Sequence, residues 1–166
     1  MSDIRSAIFP GSFDPFTLGH MDVLQSALKL FDKIFIAVGC NHLKRGFLSP
    51  EARVCLIRDA VRPLVESGAD IDVLSYTGLT VDLCRDKEAD FIIRGLRTTT
   101  DFEMESVIAQ ANRKMRQETV TIFIPASHVH SFISSTVVRD VIVNGGDAAQ
   151  FLPSNIDINK YIRYEK

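Results

Sequence analysis

Cysteine is scarce in this chain. Cys40, Cys55 and Cys84 are three among 166 residues, odd in number and without CxxC spacing. That pattern offers no disulfide framework and no thiolate metal knuckle, so buried, reduced thiols are the expectation. Long hydrophobic runs are missing too: nothing approaches the roughly 20 apolar residues of a membrane span, and Met1-Ser2-Asp3 does not open a signal peptide. A cytoplasmic protein with no membrane partner is expected. Neither sign of charge dominates, with a net charge of −2 and a pI near 6.1, so there is no global attraction to nucleic acid or to anionic lipid. Linkers, low-complexity tracts and repeats are absent, and the length fits one domain over residues 1–166 with a sizeable core. Three catalytic signatures are also lacking. Without GxxxxGK(S/T) the chain is not a P-loop NTPase; without GxGxxG a dinucleotide dehydrogenase is a weak reading; and no Ser or Cys sits in a GxSxG elbow.

Alternation is present instead. Short runs rich in Ile, Val and Phe cover Ile4–Phe9, Lys33–Val38, Ile71–Ser75, Phe91–Ile93 and Val120–Ile124, as expected of strands buried on both faces. Helical patterns separate them. Met21, Leu24, Leu28 and Phe31 form one stripe; Ser49-Pro50-Glu51 starts a second helix with Val54, Ile57, Val61 and Leu64 inward. Thr80–Lys87 fits a shorter helix. Asp101 to about Met115 fits a longer one, with Phe102, Val107, Ile108 and Ala111 expected to face inward. Ser134 or Ser135 caps another that stops at Asn144-Gly145-Gly146, and a weaker last helix lies around Ile156–Tyr164. This βα repetition predicts an α/β fold: a single-domain, doubly wound, five-stranded parallel sheet (Rossmann-like, order 3-2-1-4-5) with C-terminal helices. The loop after strand one, Pro10–Gly19, should then face the loop after strand four, Arg94–Thr100, at the switch point where such sheets bind ligands.

Four strand ends carry groups suited to phosphate. Pro10-Gly11-Ser12-Phe13-Asp14-Pro15-Phe16-Thr17-Leu18-Gly19-His20 is a stiff turn feeding a helix N-terminus, with His20 on its first turn. Lys44-Arg45-Gly46 follows strand two, and Arg94-Gly95-Leu96-Arg97 ends strand four. Ser134, Ser135 and Thr136 open a helix with Arg139 one turn in. Singly, each has a bland reading: turn chemistry, a surface or capping histidine, a solvated charge pair, a plain N-cap. Four together at adjacent strand ends favour a phosphate crevice. His128-Val129-His130 has strand spacing but lacks further ligands for a metal, and Arg113, Lys114 and Arg116 suit the end of their helix rather than nucleic acid. No carboxylate pair is evident, so the crevice is expected to position and stabilise charge rather than supply a base.

Gly11-Ser12-Phe13-Asp14-Pro15 with Thr17-Leu18-Gly19-His20, and Ile133-Ser134-Ser135-Thr136-Val137-Val138-Arg139, resemble the two motifs of the T/HxGH nucleotidylyltransferase superfamily. Ile93 to Arg97, the acids Asp101, Glu103 and Glu105, the Lys44 loop and Phe151-Leu152-Pro153 are similar to the bacterial phosphopantetheine adenylyltransferases over nearly the whole chain. The resemblance implies transfer of AMP from ATP to 4′-phosphopantetheine, giving dephospho-coenzyme A and pyrophosphate, with coenzyme A or its dephospho form as product or inhibitor. It further implies Mg²⁺, with its ligands unknown, and a homohexamer. It maps ATP binding to Ser12, Phe13, His20, Gly95, Leu96, Arg97, Glu105 and the run His130, Ser131, Phe132, Ile133, Ser134, Ser135 and Thr136. Acceptor binding maps to Ser12, Lys44, Thr80 and Arg94; His20 matches the transition-state stabiliser, with Lys44 and Arg97 assisting. Ser12 stands where many members have threonine, Met104 and His130 where aromatic residues are common, and Thr80 where an apolar residue is frequent.

The acceptor phosphate, with a second pKa of roughly 6, is mostly dianionic at neutral pH and needs no protein base. Direct attack without a covalent intermediate is therefore expected. Asp14 is either a contributor to Mg²⁺ or the residue that fixes the turn before Pro15. Two rivals remain open: a superfamily enzyme using nicotinamide mononucleotide or glycerol 3-phosphate as acceptor, and a nucleotide sensor without turnover.

Overall fold

Runs of β-branched and aromatic residues that bury both faces belong in the middle of a parallel sheet, and five such runs build one here. The computed structural model describes residues 4–41, 43 and 45–162. In chain order, β1 (Ser6–Gly11) leads to α1 (Leu18–Ala27), β2 (Lys33–Gly39) to α2 (Pro50–Glu66) and β3 (Asp70–Tyr76) to α3 (Thr80–Asp86). Then β4 (Phe91–Leu96) leads to α4 (Thr99–Met115) and β5 (Val120–Pro125) to α5 (Ser135–Val143). A 3-10 turn over Ala149–Phe151 and α6 (Asn159–Ile162) follow. All strand pairs are parallel and the order is β3-β2-β1-β4-β5, as the alternation predicts.

Side chains alternate between the faces of β1, and the two faces are unequal. Ala7 and Phe9 join a large core with Ile34, Ile36 and Val38 of β2 and the apolar stripes of α1 and α2. Ile8, Phe35, Ala37 and Ile92 face a small cluster closed by Cys84 and Ala89 at the α3 side. On the edge, β3 alternates: Ile71 and Val73 are buried while Asp70 and Asp72 point out to Lys33, a charged rim that discourages strand addition.

Helix starts follow from local chemistry. Ser49 accepts from the Ala52 N–H at 3.1 Å ahead of Pro50, Thr98 accepts from Asp101 N–H at 3.1 Å, and Ser134, the first of the two candidate caps, accepts from Val137 N–H at 3.2 Å. At its far end α5 stops at Asn144-Gly145, where Gly145 takes φ +75° and Gly146 N–H returns to Val141 O at 2.8 Å.

Several expectations need correction. Ile4 is 72% exposed, and β1 begins at Ser6 and runs on through Pro10. β4 likewise continues past Ile93, so Arg94 and Gly95 sit within it, opposite Phe123 and Ile124 of β5. α4 buries no residue: Phe102, Val107 and Ile108 are 48%, 67% and 51% exposed, and Ala111 is exposed as well. That helix lies over the thin side of the sheet, where the small cluster leaves little apolar surface to receive a stripe. All three cysteines are free, but only Cys84 is buried. Cys55 projects from α2 about 200° around the helix from Ile57, away from the core. The last helix begins at Asn159 rather than near Ile156, and residues 163–166, including the expected end at Tyr164, lie outside those described.

Candidate functional site

The crevice opens where β1 and β4 part. They pair only through Ala7–Phe91 and Ile8–Ile92, while β1 stays paired with β2 to Gly11 and β4 with β5 to Leu96. Pro10 has no N–H to offer a ladder. Its carbonyl accepts instead from Arg94 Nη1 at 2.6 Å, so a guanidinium bridges the split. The loop after β1 thus faces the end of β4, as predicted. Gly95 fits there because α1 presses on β4: a Cβ at Gly95 would lie 2.8 Å from Val23 Cγ2.

The loop over residues 12–17 is held from four sides. Asp14, 7% exposed, accepts from Phe47 N–H at 2.7 Å and Leu48 N–H at 2.8 Å, using both carboxylate oxygens. Arg53 donates to Ser12 O at 2.8 Å, Arg139 to Asp14 O at 2.7 Å and Ser135 Oγ to Pro15 O at 2.8 Å. Phe13 takes φ +48° and drives its ring into the core against Phe9 and Phe16. The Asp14–Pro15 peptide is cis. Arg53 and the Asp14 links to residues 47 and 48 were not foreseen; the only trace in sequence is an arginine among the core positions of α2.

His20 occupies the third position of α1 and completes a capping box with Thr17, a place usually taken by Glu or Gln. Thr17 N–H donates to His20 Nδ1 at 3.0 Å, so Nδ1 is the acceptor and the ring proton sits on Nε2. The ring stacks on Phe16 at 5.4 Å and meets Phe13 edge-on at 5.0 Å. Burial, and then the positive charges of Arg97 and Arg94, push its pKa down from 6.5 to about 3. His20 is not fully enclosed by protein, so about 3 is the floor of its pKa. At neutral pH His20 is an uncharged N–H donor.

Two cavities meet at this point. One, of about 320 Å³, is walled by Ser12, Phe13, His20, Gly95 and Arg97 on one side and by Ile133, Ser134, Ser135, Thr136 and Arg139 at the start of α5 on the other. It therefore collects the unpaired N–H groups of two helix N-termini, α1 and α5. The other, of about 380 Å³, runs between the loops after β2 and β3 and α4, and includes Thr80, whose hydroxyl lies 2.9 Å from Tyr76 Oη. Pro10, Gly11, Ser12, Arg94 and Glu105 line both.

Carboxylates are present after all, though each is tied to an arginine. Glu105 takes Arg94 Nε and Nη2 at 2.7 and 2.6 Å. Asp101 takes Arg97 Nε at 3.2 Å and its backbone N–H at 2.9 Å, and these contacts hold its pKa low against the opposing effect of burial. Arg97 lies just before the Thr98 cap of α4 and Asp101 in that helix's first turn, so the pair closes across the cap.

Leu96, His130, Ser131 and Phe132 lie outside both walls. His130 Nδ1 lies 3.8 Å from Asp22, and Phe132 is 62% exposed with an edge contact to Phe151. Residues 128–130 form a turn, not a strand. Lys44 falls outside the described residues. Among the described residues no group of three or more His, Cys, Asp or Glu could hold a metal ion. With Asp14, Asp101 and Glu105 already engaged, these side chains do not fit a resident Mg²⁺ centre.

Residues 8–141 match the cytidylyltransferase-like family model, a span that takes in both helix N-termini of the crevice. The chain is a nucleotidyltransferase. A phosphopantetheine adenylyltransferase of Flavobacterium psychrophilum is 46% identical over 155 residues, covering 93% of this chain and 99% of that protein. One from Coxiella burnetii is 40% identical over 96% of this chain and 98% of its own length. A bifunctional NMN adenylyltransferase/ADP ribose pyrophosphatase from Francisella tularensis shares the fold, with a TM-score of 0.69 at 18% identity over 97% of this chain and 49% of that one. The chain belongs to the phosphopantetheine adenylyltransferase family.

Proposed function

We propose that this enzyme transfers the adenylyl group of ATP to 4′-phosphopantetheine by direct in-line attack, giving dephospho-coenzyme A and pyrophosphate. The observation that carries the reading is the meeting of two cavities along one wall, with Arg94 reaching both. One cavity suits a nucleotide triphosphate on two helix N-termini; the other suits an elongated acceptor whose phosphate ends at Arg94. An acceptor phosphate oxygen forms a bond to the α-phosphorus as the bond to the β-phosphate oxygen breaks, and pyrophosphate leaves with that electron pair. The reaction needs no protein base and uses no covalent intermediate.

In this scheme the His20 Nε2–H and the backbone N–H groups at the start of α1 stabilise the α-phosphoryl oxygens. Arg97 and the Ser134–Thr136 turn hold the leaving phosphates, and Arg94 with Lys44 holds the acceptor phosphate in line. Ser12 lies between the two substrates. Mg²⁺ arrives with ATP as part of the substrate, coordinated by phosphates and water. The exposed stripe of α4 supports burial between copies in a homohexamer, measurable by light scattering. Three free thiols agree with a reducing cytoplasm.

Pyrophosphate release separates the readings. The enzyme is incubated with ATP, Mg²⁺ and one acceptor at a time: 4′-phosphopantetheine, nicotinamide mononucleotide or glycerol 3-phosphate. Release with phosphopantetheine alone is expected. Release with another acceptor reassigns the substrate, and release with none makes the chain a nucleotide sensor.

A further inference from the structure

We infer that Glu105 is a positioning residue acting through Arg94, setting the guanidinium in the wall shared by the two cavities while limiting its charge. The inference rests on the reading of the two cavities as donor and acceptor sites. Arg94 has five N–H donors in one plane. Nε and one N–H of Nη2 go to Glu105, and one N–H of Nη1 goes to Pro10 O. Among the described residues, one donor on each terminal nitrogen is left. One donor on each terminal nitrogen of the guanidinium is thus available to the oxygens of a phosphate. Without the bidentate grip only the Pro10 O contact holds the guanidinium, and the remaining donors lose their aim.

Glu105 is well placed for that task. It sits on α4, a helix that buries no residue. Its side chain is 15% exposed against 32% for Arg94, so the pair is partly withdrawn from water and its geometry is not washed out by solvent. The same carboxylate offsets part of the arginine's charge. Arg97 is handled alike by Asp101. Such pairing keeps a site that must release two anionic products from gripping phosphate too strongly, while leaving donor direction intact.

Orientation and affinity therefore separate. Removing the Glu105 charge strengthens the pull of Arg94 on phosphate but loosens its aim. Glu105→Gln is expected to leave the calorimetric Kd for 4′-phosphopantetheine unchanged or lower, while kcat falls about 10- to 100-fold. In an Arg94→Ala background the same change should alter kcat by less than about twofold, because the group it acts through is gone. Weaker acceptor binding in Glu105→Gln, an undiminished loss in the Arg94→Ala background, or a defect confined to the KM for ATP overturns the inference and makes Glu105 a structural or direct nucleotide contact. Should Glu105→Gln fail to fold, Glu105→Asp carries the same cycle, since it keeps the charge and shortens the reach. A wild-type enzyme that releases no pyrophosphate overturns the substrate assignment, whereas an active wild type with an additive cycle overturns only the role of Glu105.

Discussion

Replacing His20 tests whether a neutral donor or a proton source is at work. Thr17 N–H occupies Nδ1 at 3.0 Å, and the ring's pKa lies near 3. At pH 7 the imidazolium is then a small minority, and forming it costs at most about 5 kcal/mol, at 1.36 kcal/mol per pH unit between about 3 and 7. The free enzyme thus offers Nε2–H as a fixed dipole. His20→Ala removes one donor from the developing α-phosphoryl charge and should lower kcat by about 10²–10³, or about 2.7–4 kcal/mol. In His20→Gln the amide nitrogen falls near the position of Nε2 and remains an uncharged donor, on a more flexible chain, so the loss should shrink to about 10-fold. The assay is pyrophosphate release with both substrates saturating, repeated from pH 6 to 9, alongside a histidine NMR titration of the free enzyme. Equal damage from Gln and Ala, or a His20 resonance titrating near 6.5, would refute the neutral-donor argument.

The same histidine shapes acid stability. Its folded pKa of about 3 lies below the unfolded value of 6.5, so the unfolded chain binds more protons in between; the stabilisation is complete above 6.5 and is lost as pH falls toward 3. His20→Gln should be less stable than wild type by about 1 kcal/mol at pH 7.5, through the weakened capping box. At pH 4.5 the order should reverse, since wild type has by then lost at most about 2.7 kcal/mol from this group; an identical difference in urea midpoints at both pH values would contradict this. Asp14→Asn offers one acceptor where two amides donate, at 2.7 and 2.8 Å, and should cost about 3 kcal/mol, with faster amide exchange at Phe47 and Leu48. Unchanged exchange there would remove Asp14 as the link between the loops. Gly95→Ala places a Cβ 2.8 Å from Val23 Cγ2 and should cost about 1–3 kcal/mol in thermal or urea unfolding, largely recovered by adding Val23→Ala. A neutral Gly95→Ala would mean α1 does not press on β4 as described.

Sheet order was legible because periodicity and connection length are local properties. Five short apolar runs separated by capped helices leave few parallel arrangements. Boundaries at the carboxyl end of β4 were not legible. Arg94 and Gly95 look like loop residues, and they continue the strand because β5 still pairs with them after β1 has turned away. The α4 stripe shows the opposite failure. Phe102, Val107 and Ile108 have helical spacing, but spacing reports which side of a helix is apolar and not what covers it.

The site divides along the same line. Residues that present donors to the crevice are visible in sequence, because helix N-termini and strand ends announce themselves: Ser12, His20, Arg94, Arg97, Ser134, Ser135 and Thr136 all reach its walls. What governs their behaviour is invisible, because it depends on partners far along the chain. The charge state of His20 follows from two phenylalanine rings and two arginines, and the aim of Arg94 from a glutamate on the next helix and a proline carbonyl 84 residues earlier. That proline has a further consequence. An ordinary residue at position 10 would bring an N–H able to extend the β1–β4 ladder toward Arg94. Closing those strands by one more pair would take the Pro10 carbonyl from the guanidinium and narrow the gap in which both cavities meet. The missing N–H therefore keeps the switch point open and leaves an acceptor that draws Arg94 into the shared wall.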